Sequence, residues 1–155
     1  MNRLIEEELP GNMDLRDQLL ELITDQDLAY KLPGDNPTLG GLCEEMGRTQ
    51  QIYARSFRTL TMDWGAGGSS PAPNSVAALA GWFAALDADL IAALSELSDD
   101  DLERKQVDRG HGFTPSLFVQ FQIYREALLI FYAKASVYLK ALEKPYDQQW
   151  RAWVG

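Results

Sequence analysis

The sequence predicts an all-α fold, a four-helix bundle with short extra helices in its connections. Apolar residues recur at three- and four-residue spacing over four long stretches. Proline and glycine breakers separate those stretches, and no segment alternates polar and apolar residues with a period of two. The longest stretch, Thr114–Leu142, is mostly apolar and carries one arginine, Arg125, on its predicted inward face. Its neighbours have the amphipathic pattern of helices that would cover it, so residues 1–155 are expected to form one bundle domain.

Taken in order, Asn12-Met-Asp14 caps a first helix with the stripe Leu15, Leu19, Leu22 and Ile23. Thr24-Asp-Gln-Asp-Leu28 then starts a short helix, with Thr24 as cap and acids in its first turn. Leu32-Pro-Gly-Asp-Asn-Pro37 is a breaker. The second long helix is expected from Thr38 to about Met62, with Leu39, Cys43, Met46, Tyr53, Phe57 and Leu60 on one face. Asp63–Pro73 reads as a flexible loop inside the domain, since neither half buries its stripe alone. Asn74 or Ser75 caps the third helix, which turns Val76, Leu79, Phe83, Leu86, Leu90 and Leu94 inward. Ser98-Asp-Asp-Asp-Leu102 caps another short helix, and Arg109-Gly-His-Gly112 breaks it. Thr114-Pro115 opens the fourth long helix, with proline at a favoured first position, and Lys144-Pro145 stops it. Trp150 and Trp153 stand about one helical turn apart in the tail, placed to seal an end of the bundle or to share in a subunit contact.

Thr24-Asp-Gln-Asp-Leu-x-x-Lys31 recurs as Ser98-Asp-Asp-Asp-Leu-x-x-Lys105. Each copy precedes a glycine-containing breaker and a new capped helix. The two halves thus read as repeats of helix, short capped helix, loop and helix.

Composition narrows the function. The formal net charge is −9 and no basic stripe is present, which argues against nucleic acid and anionic membranes as partners. A single cysteine, Cys43, excludes an internal disulfide and fits a reducing compartment. The amino terminus is acidic and lacks the apolar core of a signal peptide, and Val76–Leu94 carries Asp87 and Asp89, costly in a bilayer. A cytoplasmic location is the expectation.

An arginine on an apolar face needs an acceptor, because it stays charged. Two accounts of Arg125 stand side by side. In one it lies at the stripe edge beside water or Glu126. In the other it pairs with Glu45 of the second helix, with Glu44 as the alternative acceptor, in a cleft completed by Gln122 and Tyr124 or Tyr132. The remaining candidates have simpler explanations. Asp63–Pro73 lacks the ending of a phosphate loop. Asp99, Asp100 and Asp101 suit a helix's first turn better than a cation. His111 sits between glycines with only Asp108 near it as an orienting carboxylate. Cys43 on an inward stripe reads as a small core residue.

TDQDLAYKLPGDNPTLGGL, SDDDLERK, FTPSLFVQF and the closing PYDQQWRAWVG, in this order, resemble the DinB/YfiT-like superfamily of four-helix bundles, which includes thiol-dependent transferases. The resemblance implies a divalent metal held by three histidines, one on the second helix and an H-x-x-x-H pair on the fourth. Those positions fall on Glu45, Arg125 and Leu129, none of them histidine. No cofactor is therefore expected, zinc or nickel entering only if that placement is wrong.

Two functions follow as expectations. The first is a small, anionic molecule bound in a central cleft by Glu45, Arg125, Gln122, Leu129 and Tyr132, or a structural role with the cleft filled. The second is a metal- or thiol-dependent transferase or hydrolase with a non-standard site. No catalytic residue is assigned. A homodimer is expected from the resemblance, without a placed interface.

Overall fold

Long helices begin where the sequence supplies a side-chain oxygen for their first free N–H groups. A computed structural model describes residues 2–155. In it α2 (Leu39–Thr59) is capped by Thr38, whose Oγ1 accepts from Gly41 N at 3.0 Å. Ser75 caps α3 (Val76–Ser95) through Ala78 N. Ser98 and Asp101 form a reciprocal capping box on α4 (Asp99–Arg104). Ser116 caps α5 (Leu117–Ala141), and Asp147 caps α6 (Gln148–Trp153).

Two boundaries differ from expectation. α1 (Leu9–Leu22) continues from a π-helical turn, Leu4–Glu8, and passes through Pro10 and Gly11 instead of starting at Asn12. Pro10 stands where the π-helical turn passes into the α-helix, at the second α-helical residue. Asn12 is buried within the helix, and its amide donates to Glu8 O. α5 starts two residues after Pro115, whose carbonyl accepts from Val107 N at 2.9 Å and so is committed to the preceding loop.

The repeat is visible in the backbone. Asp27 Oδ2 accepts from Thr24 N and Oγ1 as Asp101 Oδ2 does from Ser98 N and Oγ. Leu28 and Leu102, one residue further on, are both buried. An isolated antiparallel bridge then ties each loop to the next cap, Lys31 with Thr38 and Gln106 with Ser116.

α1 packs beside α3 and α5, and α2 beside the same two helices. Paired contacts set the directions. Phe57 meets Phe121 and Tyr53 meets Tyr124, while Tyr138 donates to Pro37 O, so α2 and α5 are antiparallel. Gln50 meets Asp87, and the Gly47 Cα lies under Trp82, so α2 and α3 run together. The connection 60–75 must therefore return along the bundle, and it does so against α2. A Cβ on Gly40 would lie 2.0 Å from Pro73 O, so only glycine permits this approach.

The core runs without a break from Leu4 to Trp150. Trp150 closes one end, donating from Nε1 to Leu15 O at 2.9 Å and stacking edge-on to Tyr132. Trp153 covers Gly11 and stays half-exposed. Among the described residues α3 alone is long and apolar enough to cross a bilayer. In this fold it lies against α1 and α2, with Asp87 engaged inside the bundle.

Candidate functional site

The five residues proposed from the sequence do not converge. Arg125 faces α1, not α2. Its Nη1 donates to Glu8 Oε2 at 3.2 Å and to Gln122 Oε1 at 3.3 Å, both at a partly exposed rim. Of the two accounts of Arg125, the stripe-edge one matches its rim position, with Glu8 and not Glu126 as acceptor. The Glu45–Arg125 pair is absent because antiparallel packing brings Tyr53 and Phe57 to the level of Arg125, and Glu45 opposite a later part of α5. Leu129 packs on the edge of the core. Tyr132 is buried and donates its hydroxyl to Asn12 O across to α1. Burial pushes its phenol pKa well up, so it remains a neutral donor.

The charge in the core belongs to a residue that the sequence reading passed over. Arg16, 1% exposed, pairs with Asp87 and donates from Nη1 to Gln50 Oε1 at 3.0 Å. Gln50 Nε2 closes the triangle on Asp87 Oδ1 at 2.8 Å, and the guanidinium lies 4.4 Å over the Phe83 ring. Burial lowers the Arg16 pKa, but the Asp87 bond and charge outweigh it and leave the cation favoured. Asn12 Oδ1 and Arg16 Nε, one turn apart on α1, are buried without protein partners. The signal was there: Arg16 follows Leu15 and precedes Leu19 and Leu20, all three buried.

Glu45 instead lines a groove of about 470 Å³ between α2, α5 and the breaker loop. Leu32, Leu42 and Tyr138 form apolar walls, and Asp35, Glu45 and Lys134 bring charges of both signs to it. Lys134, Val137 and Tyr138 are the α5 residues that share this space with Glu45, and Lys134 and Tyr138 are four apart, on one helical face. They stand where an H-x-x-x-H pair would be needed to meet Glu45, nine residues beyond Arg125 and Leu129. An ammonium is no ligand, and the Tyr138 hydroxyl is donated to Pro37 O at 2.5 Å. The donor set does not fit a divalent metal, and no three His, Cys, Asp or Glu side chains converge among the described residues.

The other candidates keep to structural duties. The Cys43 thiol is buried and pushed up to about 12 by desolvation, which leaves it protonated and unreactive. His111 is exposed in a turn with φ 54°, between two glycines that are also left-handed. Asp108 Oδ1 accepts from Gly110 N in that turn and does not orient an imidazole. Asp101 serves the α4 cap, the role expected of an acid in a helix's first turn.

A profile of the DinB superfamily matches residues 13–128. Two crystal structures share the architecture. A DinB-like protein from Bacillus subtilis superposes with a TM-score of 0.74 at 16% identity, covering 96% of this chain and 99% of its own. A DinB-like protein from Bacillus cereus gives 0.72 at 15% identity, with 94% of each chain covered. No curated protein matches the sequence. At such identities the structures carry the fold and not an activity.

Proposed function

The chain belongs to the DinB superfamily, and from that premise we propose that it binds a small carboxylate in the groove between α2 and α5. The observation that carries this reading is the pairing of shape and charge there. A cavity of about 470 Å³ lies within the range that encloses small ligands. Lys134 has no carboxylate partner among the described residues; its ammonium sits 5.6 Å from the Phe131 ring. Glu45 and Asp35 stand in the same groove. Lys134 suits the anionic end of a ligand and the two carboxylates suit an amine, so a small amino carboxylate matches both. The apolar walls of Leu32, Leu42 and Val137 would take its side chain. No reaction is assigned.

The test is thermal denaturation of the full chain with a panel of small carboxylates, amines and amino carboxylates. A true ligand at a hundred times its Kd stabilises the folded state by about 2.7 kcal/mol. Lys134→Met should abolish the shift and Glu45→Gln weaken it, with the unliganded melting point little changed, since both side chains are exposed. A panel in which no carboxylate stabilises the wild type sinks the proposal. Elemental analysis of untagged protein, after incubation with zinc or nickel, addresses the enzyme alternative. A stoichiometric metal would overturn the donor-set argument and restore metal chemistry.

A further inference from the structure

At the opposite end of α5 from this groove, the loop 105–116 sets a second arginine among aromatic rings. Arg109 Nη1 donates to Gln120 Oε1 at 2.7 Å and reaches Tyr53 Oη at 3.4 Å. Gln120 is fully buried and is itself held, its Nε2 donating to Ser56 Oγ at 2.9 Å and to Met62 Sδ. The guanidinium carbon lies 5.6 Å from the Tyr53 ring, 5.7 Å from Trp64 and 6.0 Å from Phe113. Tyr53 is buried and forms the floor, whereas Trp64 and Phe113 are 58% and 51% exposed.

This guanidinium is placed with care and then left open. Both of its hydrogen bonds use Nη1, so Nε and Nη2 donate to no protein acceptor among the described residues. That free edge is the one that pairs bidentately with a carboxylate. Among the described residues no Asp or Glu forms an ion pair with Arg109, in a chain with a formal net charge of −9. The other arginines without ion pairs among the described residues, Arg55 and Arg151, are exposed and have no such anchor. Large exposed aromatic rings beside an anchored arginine are the composition of a binding hot spot. The guanidinium already places a positive charge among these rings, which disfavours a cationic ligand.

We propose that Arg109, Trp64 and Phe113 form a second, shallow binding site for an aromatic carboxylate. Its carboxylate meets the Nε and Nη2 edge of Arg109, and its ring stacks on Trp64 or Phe113. Gln120 is a positioning residue: it touches no ligand but fixes the fork. The site shares no residue with the α2/α5 groove and stands or falls independently of it.

The experiment is titration of the full, isotopically labelled chain with benzoate, followed by the Trp64 indole and Arg109 Nε–H resonances. Benzyl alcohol, benzylamine and acetate serve as controls. Benzoate should shift both signals saturably and bind at least about ten-fold tighter than benzyl alcohol or benzylamine, a difference of about 1.4 kcal/mol. Arg109→Gln should lose that advantage and Arg109→Lys retain part of it. Trp64→Ala, at an exposed position, should weaken benzoate while leaving acetate unchanged, which keeps the test valid even where an Arg109 variant folds poorly. Lys134→Met should leave the benzoate response at Arg109 intact. Equal affinity for benzoate and benzyl alcohol, no effect of Trp64→Ala, or loss of the response in Lys134→Met would each overturn the site.

Discussion

The two halves of the bundle build the same scaffold and use it to opposite ends. Each has a long helix with a buried glutamine that holds an arginine: Gln50 holds Arg16, which lies over the Phe83 ring, and Gln120 holds Arg109, which lies among three rings. Arg16 finds a carboxylate, Asp87, which α3 delivers from the other half, and the network closes away from water. Arg109 finds none, and two of its three rings face solvent. A buried cation braced by a carboxylate and an amide is an internal strut, whereas an anchored cation with no carboxylate and an accessible edge is an instrument for binding. Burial and the presence of a counter-charge, not residue type, separate the two roles.

The largest effect should come from opening the closed network. Asp87→Leu strands the Arg16 cation in the core and is expected to cost about 3–5 kcal/mol in urea denaturation. Adding Arg16→Met should recover much of that loss, because the charge is then gone as well. Additive losses in the double mutant would show that the two residues do not act as a pair.

A subtler contrast lies in the Ser98–Asp101 capping box and the matching Thr24–Asp27 motif. The Asp101 carboxyl is held down to about 2, first by the Ser98 backbone N–H and then by Lys105. Asp27 is also lowered, although desolvation works against it, by its bonds to Lys144 and Thr24. A carboxyl whose pKa falls on folding stabilises the protein above its unfolded value, and that support disappears as pH drops through the folded value. Denaturation midpoints measured from about pH 5 to about pH 2 should therefore fall with acid, and less steeply in Asp101→Asn. Asp27→Asn should flatten the same limb to a smaller degree. A limb unchanged by Asp101→Asn would mean that other carboxylates govern it.

The smallest effect is expected at the rim. Arg125 and Glu8 form a partly exposed pair, so Arg125→Ala should change stability by no more than about 1 kcal/mol. A double-mutant cycle should find weak coupling of Arg125 to Glu8 and none to Glu45. Strong coupling to Glu45 would restore the cleft expected from the sequence and contradict the helix register seen here.

The misplacement of that cleft has a physical cause. α5 is apolar almost all round, with Ile130 and Val137 exposed beside buried Leu128 and Tyr132. Periodicity on such a helix does not choose an inward face, so it left Arg125 open between the stripe edge and a cleft with Glu45. Glu45 was a sounder choice, since it does line a groove, but its neighbours across α5 turned out to be Lys134 and Tyr138. Arg109 was read only as part of a breaker. Its anchor, Gln120, lies eleven positions on, and its rings come from α2, the 60–75 connection and its own loop.

What the sequence by itself determined is local: where most helices begin and stop, the two Ser/Thr–Asp motifs, the breakers and the repeat. These depend on hydrogen bonds between residues three or four apart, and such bonds are written in short motifs. Tertiary structure alone decided which polar groups meet. Arg16 and Asp87 are 71 positions apart, and Arg125 and Glu8 are 117 apart. Helix direction and rotation settle such encounters. Those depend on the summed packing of whole faces, to which no single residue's neighbours in the chain give access.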